Sequence, residues 1–323
     1  MASSDSLKID NNESCSSESK IRRVKRTFKT KATVYHDVLQ RTKEWHDLRR
    51  GRLSGSQVGT AVGISKYMSP VNYFLQQIQP DLVFVSNAAC EHGVRTEPLS
   101  TEFIQRCIFP NLHRYFSCFR LNMKQMDLPS PELVKLWQSQ VYSQEPGYHT
   151  PKPDQNPNFP HKEDAKLFGL SLDMEGSFID VEIKNPFAIK SFWNNYHRVI
   201  SPLYFAQVQW SMAMRCRKRM FLIATSYTTE KKPRLMAYVV WMVNFSKKFF
   251  RNFLYPKAKL MIQTIRGGNA EDVSVIEEQI PFLCTEEDYQ DSVEYKKIFE
   301  KYCFRIHTEK YGNTIQDFIQ NKN

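Results

Sequence analysis

The sequence predicts an α/β fold, and three observations carry that reading. Residues 219–227 and 235–245 are strongly β-type runs joined by the turn-rich TTEKKP. Residues 168–186, FGLSLDMEGSFIDVEIKNP, read as two shorter strands about a tight turn at Gly176, the first ending on Asp173. Around them lie segments of helical periodicity that start on Ser or Thr and stop on Gly. No internal repeat is present. We expect one α/β domain over residues 35–266, preceded by a disordered polar and basic tail at 1–34 and followed by a helical extension at 267–323.

Of the 323 residues, 41% are hydrophobic, so the chain can bury a core and is not disordered throughout. The net charge of +11 favours a polyanionic partner; it speaks to binding and steering rather than to fold. Seven cysteines, an odd number, include no pair at the two-residue spacing of zinc or iron–sulfur sites and look like thiols of a reducing compartment. No apolar run approaches the ~18 residues that span a bilayer, and the polar N-terminus lacks a signal-peptide pattern. A soluble, intracellular protein with no membrane partner is expected. Residues 21–31, IRRVKRTFKTK, hold six basic residues and no acid. That run suits nuclear import, a nucleic-acid arm or a solvated tail alike, so nucleus and cytoplasm both stay open.

Taken in order, Thr42 is placed to cap a short helix over 43–50 that Gly51 ends. Ser54 caps a second helix that stops at Gly63. The stretch between them concentrates Arg49, Arg52, Ser54 and Ser56. Arginines beside a Ser-capped helix start suit a phosphate, because free N–H groups and the helix dipole favour an anion; the plain alternative is a serine bound only to its own backbone. Ser69 and Pro70 open a third helix that reaches residue 78. Residues 87–108 read as helical with a break or kink at Pro98. Glu97 stands at that break, off the Leu99, Phe103, Cys107 and Ile108 stripe, as either a helix-start charge or a metal ligand.

Seven of the sixteen prolines fall in 127–160, around a short helical piece at 132–140, and mark a long surface insertion. Ser201 and Pro202 open a helix that is apolar nearly all round and therefore buried. Gln207 sits on its Leu203, Trp210 and Met214 stripe. An unsatisfied buried amide costs ~1–3 kcal/mol, so Gln207 should point at a polar group such as a carboxylate. Ser246 caps a last long helix, interrupted near Pro256, with helical pieces around 286–302 beyond it.

In the second strand of the 168–186 hairpin, Asp180, Glu182 and Lys184 alternate with Val181 and Ile183. Two acids and a lysine therefore share one face, with Asp173 across from them. The pattern suits either a metal site for hydrolysis or a solvated strand face with paired charges. The first is chemically sensible. Hard cations take oxygen ligands, and a phosphodiester-cleaving site must neutralise a crowded phosphate and activate a water. Glu182 and Lys184 lie ~7 Å apart along a strand, so one can bind metal while the other contacts the water. Spacing alone does not exclude Asp180 as a ligand.

The arrangement of Asp173, eight residues, then Glu182, Ile183 and Lys184 resembles the PD-(D/E)XK nuclease core. Four blocks in order resemble the lambda-exonuclease and YqaJ-like viral recombinase family: TKEWHDLRRGRLSGS at 42–56, HGVRTEPLS at 92–100, the hairpin, and YFAQVQWSM at 204–212. The resemblance implies a restriction-endonuclease-like core, a central mixed β-sheet flanked by helices. It implies a Mg²⁺-dependent, alkaline-type deoxyribonuclease, with Mn²⁺ able to substitute. Asp173, Glu182 and the carbonyl of Ile183 become metal ligands, Lys184 an aid to the nucleophilic water, Glu97 a group for a second metal or its water, and Gln207 a glutamine beside the active site. Arg49 and Ser56 fall on contacts to a 5′-phosphate end, and Ser171 on a serine next to the catalytic aspartate. Arg52, Ser54, Lys190 and Arg198 complete the set of expected DNA contacts.

The expected activity is exonucleolytic digestion of linear double-stranded DNA, 5′ to 3′, in viral-type recombination, repair or genome processing. The alternatives are an endonuclease, an RNA or single-strand nuclease, or a non-catalytic nucleic-acid-binding protein. The implied partners are duplex DNA with 5′-phosphate ends and a single-strand-annealing protein. Departures from the family pattern are Leu172 and Met174 in place of proline and glycine around Asp173, Asn185 in place of the frequent cysteine, and His92 in place of an aromatic. The insertion and the C-terminal extension exceed the compact phage enzyme, so its ring-shaped trimer is not carried over and the homo-oligomeric state stays open.

Overall fold

The structure is a computed structural model that describes residues 31–79, 86–122, 129–140, 142–144, 147–284 and 289–310. The tail through residue 30, with most of the basic run at 21–31, lies outside the described residues, as do parts of 127–160 and the stretch 311–323. The strands are β1 Thr33–His36, β2 Leu53–Ser54, β3 Tyr142–Gln144, β4 Tyr148–Pro151, β5 Phe168–Gly169, β6 Met174–Gly176, β7 Val181–Lys184, β8 Arg219–Tyr227, β9 Leu235–Asn244 and β10 Cys303–Lys310. The helices in the first half are α1 Lys43–Arg49, α2 Gly55–Ala61, α3 Pro70–Ile78, α4 Ala88–Phe103, α5 Leu112–Asn122 and α6 Pro131–Ser139. They are followed by α7 Asp164–Leu167, α8 Ile189–Phe192, α9 Pro202–Arg215, α10 Lys247–Phe249, α11 Tyr255–Gly267, α12 Val273–Gln279 and α13 Val293–Tyr302.

Six strands form one mixed sheet in the order β10-β9-β8-β7-β6-β3. Within this sheet only β7 and β8 run parallel, with Glu182 beside Leu222 and Lys184 beside Ala224. A parallel pair needs a long crossover, and the connection through α8 and α9 supplies it. Alternation along the strands divides the interior in two. Met220, Leu222 and Ala224 of β8 join α2, α3, α9 and α11 in one core. Phe221 and Ile223 face the other, against Phe109, Leu112, Phe116, Val134 and Trp137 from α5, α6 and the turn before them. The central mixed sheet flanked by helices is therefore present. Among the described residues, no helix is long and apolar enough to cross a membrane.

The local signals act as expected in α1, α3 and α9. Thr42 accepts from the Trp45 N–H, Ser69 caps α3 with Pro70 at its first turn, and Gly51 has φ +65°, where a Cβ would be strained. Four elements differ from the sequence reading. Order starts before residue 35, because Thr33 and Val34 pair with Pro151 and Thr150 across β1 and β4. Helix α4 continues through Pro98 to Phe103 and passes into a π-turn at Ile104–Ile108. The proline-rich segment is built into the fold: Phe159 is fully buried, and the Asn156 amide donates to the Met214 carbonyl at the end of α9 (2.8 Å). The region after residue 267 is not only helical, since β10 pairs along β9 and closes one edge of the central sheet.

The hairpin also differs. Asp173 precedes the first strand instead of ending it, and β7 is an interior strand between β6 and β8. The solvated-edge alternative therefore fails. Asp180 does not join Glu182 and Lys184. Its carboxylate is fully buried; Oδ1 accepts from the Gly176 N–H (3.1 Å), and Oδ2 accepts from Arg217 Nε (3.0 Å) and Arg215 Nε (3.4 Å). Burial alone would raise this carboxyl, but the two guanidinium charges hold it below its ordinary range. Arg217 also donates to the carbonyls of Ser177 and Gly176, at 3.0 and 2.6 Å. Asp180 is thus the clamp of the β6–β7 turn.

The same buried network reaches β4, where His149 Nε2 lies 3.3 Å from Glu175 Oε2. Burial, seconded by the Arg215 charge, lowers the His149 pKa although Glu175 opposes the shift. The neutral ring is the native form, whereas the unfolded chain takes its proton near pH 6.5. Stability from this residue is therefore complete above about pH 6.5 and falls below it, as the unfolded chain takes up a proton that the buried ring resists. Between about pH 6.5 and pH 5, the Tm of the wild type should fall more steeply than that of His149→Gln. Parallel curves for the two proteins would remove His149 as a source of acid sensitivity.

Candidate active site

Strand β7 presents Val181 and Ile183 to one core and Glu182 to the other face, where α9 packs. Glu182 is buried to 1% exposure. Its Oε1 accepts from Lys184 Nζ (2.6 Å) and from Gln207 Nε2 (2.5 Å). Its Oε2 is buried and has no hydrogen-bond partner among the described residues. Asp173 sits just before β6 and accepts from the Ile183 N–H through Oδ2 (2.7 Å), doing for β7 what the three-residue β6 is too short to do. The N–H and C=O of a strand residue face the same edge, so the Ile183 carbonyl is on the Asp173 side.

This arrangement brings Asp173, Glu182, Ile183, Lys184 and Gln207 together. Desolvation, then the Asp173 charge, push the Glu182 carboxyl up to about 8. Desolvation opposes the charged form of Lys184, but Glu182 and Asp173 outweigh it and raise the ammonium above its usual range. The Lys184 Nζ also lies 5.0 Å from the centroid of the Tyr204 ring, which stacks on Tyr196 (5.3 Å between centroids). Sequence reasoning missed Tyr204. It stands three residues before Gln207 on α9, a spacing that shares a helix face.

Among the described residues, no three His, Cys, Asp or Glu side chains cluster closely enough to hold a metal ion. Glu97 is not grouped with Asp173 and Glu182; it pairs with Arg41 across 2.8 Å, and Arg41 has a left-handed φ of 68°. The remaining donors nevertheless suit a divalent cation. Mg²⁺ is ordinarily held by one or two carboxylates and keeps several waters. Here two carboxylates repel one another, and one has a buried oxygen without a partner. A bound cation would satisfy that oxygen and favour the ionised form of Glu182.

The arginine–serine cluster also assembles. Arg49 Nη2 donates to Ser54 Oγ (3.0 Å) and Ser56 Oγ (3.3 Å), and its guanidinium carbon lies 4.2 Å from the centroid of the Trp45 ring. The Trp45 indole N–H donates to Ser171 Oγ (2.8 Å), two residues before Asp173. Trp45 thus joins the two sets, and its position four residues before Arg49 on α1 was a legible cue. Arg52, between α1 and β2, is turned back on α1, donating to the Leu48 carbonyl. Lys190 and Arg198 are exposed on the connection between β7 and α9. Gln209, on α9 but aimed elsewhere, binds the Asn244 carbonyl and the Ser246 N–H.

Comparisons with known proteins give what the chain is similar to. No curated protein matches the chain. Among solved structures, it resembles an alkaline exonuclease, LHK-Exo, from Laribacter hongkongensis (16% identity, TM-score 0.44, covering 74% of this chain and 97% of that one). A structure of LHK-Exo in complex with dAMP gives 17% identity and a TM-score of 0.41, over 74% of this chain and 97% of that one. A phage-related exonuclease from Haemophilus somnus 129PT gives 10% identity and a TM-score of 0.40, over 70% and 96%. The family-model comparison, which takes in α1, the Arg49 cluster and α4 with Glu97, identifies residues 44–121 as matching the YqaJ-like viral recombinase domain.

Proposed function

We propose that this protein is a metal-dependent DNA exonuclease that hydrolyses linear double-stranded DNA from 5′ ends, in viral-type recombination, repair or genome processing. The observation that carries the reading is the buried Glu182, whose Oε1 is held by Lys184 and Gln207 while Oε2 is left without a partner beside Asp173. The YqaJ-like domain match supports DNA as the substrate. Asp173, Glu182 and the Ile183 carbonyl would hold Mg²⁺, or Mn²⁺ in its place. When bound, that cation supplies Lewis-acid charge to the scissile phosphate.

The chain's own groups do the rest. Gln207 fixes Glu182 through Oε1 and so aims Oε2. Lys184, held between Glu182 and the Tyr204 face, orients the attacking water and offsets charge developing on the phosphate. Glu97 assists from α4, and its pair with Arg41 is the contact that must give way. Arg49, Ser54, Ser56 and Ser171 receive the 5′-phosphate, with Arg52, Lys190 and Arg198 along the backbone. A single-strand-annealing protein is the partner that such an activity calls for.

The test is cleavage with Mg²⁺ of 5′-phosphorylated linear duplex, closed circular duplex and single-stranded RNA. Only the linear duplex should be degraded. Nicking of closed circles would make the protein an endonuclease, and preference for RNA would overturn the substrate assignment. In Arg49→Ala, the rate advantage of 5′-phosphate over 5′-hydroxyl ends should shrink about tenfold, since a charge-assisted hydrogen bond contributes ~1.5 kcal/mol or more. An unchanged ratio would take Arg49 out of the phosphate pocket.

A further inference from the structure

Asn185, the residue that follows Lys184 and departs from the family pattern, lies in a cluster of three side-chain oxygens. Its Oδ1 accepts from Ser100 Oγ of α4 (2.6 Å) and from Thr225 Oγ1 of β8 (2.5 Å). The two hydroxyl oxygens are 2.8 Å apart. Ser100 and Thr225 are both fully buried, so these contacts are shielded from water and worth more than the same contacts at a surface.

The position of this cluster gives it a role. Ser100 is three residues after Glu97, on the same side of α4. Between them stands Pro98, which has no N–H to offer the carbonyl one turn earlier and crowds it. The turn that carries Glu97 therefore follows a gap in α4's ladder, although the Glu97 carbonyl accepts from Thr101 Oγ1 (3.0 Å) and Ser100 Oγ also reaches the Thr96 carbonyl (3.1 Å). Ser100 ties it from outside to the residue beside Lys184 and to the neighbouring parallel strand.

We propose that Asn185 is a positioning residue, whose side-chain oxygen fixes the Glu97 turn of α4 against the catalytic strand through Ser100 and Thr225. This inference rests on the nuclease reading above and on Glu97 taking part in it. Asn185 touches neither substrate nor cation; it acts through Glu97.

The test combines kinetics with hydrogen–deuterium exchange on the full chain. In Asn185→Ala, kcat on linear duplex with Mg²⁺ should fall about 10- to 100-fold, the usual cost of losing a group that orients a ligand. KM should stay within about threefold, because no substrate contact is removed. Exchange in a peptide covering residues 95–103 should quicken while α9 stays protected; faster exchange throughout would reflect general loosening and count against the proposal. Thr225→Ser, which keeps the hydroxyl, should retain activity within about threefold, and Thr225→Val should match Asn185→Ala.

The deciding comparison is Glu97→Ala with and without Asn185→Ala. If Asn185 acts through Glu97, the double variant is no slower than Glu97→Ala alone. Multiplying losses would overturn the proposal while leaving the nuclease reading intact, provided Glu182→Gln is inactive. Full activity in Glu182→Gln would instead defeat the nuclease site itself. Should Asn185→Ala fail to fold, the Ser100→Ala and Thr225→Val variants carry the same comparison with Glu97→Ala.

Discussion

Glu182→Gln should lose cleavage by at least about 10³-fold, the largest kinetic effect expected of any substitution in the chain. The Lewis-acid contribution of a bound cation amounts to several kcal/mol, and each ~1.4 kcal/mol is a decade in rate. Gln keeps the volume of Glu and the bond with Gln207 or Lys184, so the packing of β7 against α9 should survive. It removes a buried carboxylate that desolvation and Asp173 both disfavour. In chelator the variant should therefore be at least as stable as the wild type, and Mn²⁺ binding, followed by calorimetry, should vanish. Loss of activity together with a fall in Tm of the chelated protein would mean that Glu182 supports the fold instead of a cation.

The second large effect concerns stability. Asp180→Asn should destabilise the protein by about 3–5 kcal/mol, because it leaves the Arg215 and Arg217 guanidiniums buried with half their counter-charge gone. Arg215 has no exposed side-chain surface and Arg217 only 13%. Glu175 remains 2.5 Å from Arg215 Nη2, whereas Arg217 keeps its bonds to the carbonyls of Ser177 and Gly176. Urea unfolding should show a lower midpoint at unchanged slope. A change under 1 kcal/mol would show that the turn is held by its backbone contacts and not by the carboxylate.

These two acids show what a local pattern carries and what it does not. Asp180 and Glu182 look alike in the sequence, two residues apart in alternation with Val181 and Ile183. Their partners lie far along the chain: Arg215 and Arg217 for one, Gln207 for the other. One therefore becomes a structural clamp and the other a candidate ligand, a division that β periodicity does not contain. Strands β8 and β9 were legible because both faces are buried and the runs are long, apolar and rich in β-branched and aromatic residues. Helix α9 was legible from its Ser201–Pro202 start and from Gln207, whose burial demands a polar partner.

Other elements were hidden for definable reasons. Strand β10 alternates Phe304 and Ile306 with Arg305 and His307, but it follows α13 without a turn signal and so reads as more helix. The proline-rich segment looked like a surface insertion because its role depends on Asn156 and Phe159 meeting the end of α9 and the core. Trp45 and Tyr204 stand inside the matching blocks at 42–56 and 204–212 with no role to read from the sequence; their meaning comes from the cations above them, Arg49 and Lys184.

The most direct measurement is nucleotide release from end-labelled, 5′-phosphorylated linear duplex, followed against Mg²⁺ concentration for the wild type and Lys184→Ala. The wild type should release nucleotides only when Mg²⁺ is present, stop on chelation, and outpace Lys184→Ala by about 10²-fold or more, as for loss of a group that stabilises transition-state charge. Release without a divalent cation, or equal rates in the two proteins, would contradict a catalytic centre at the β6–β7 hairpin.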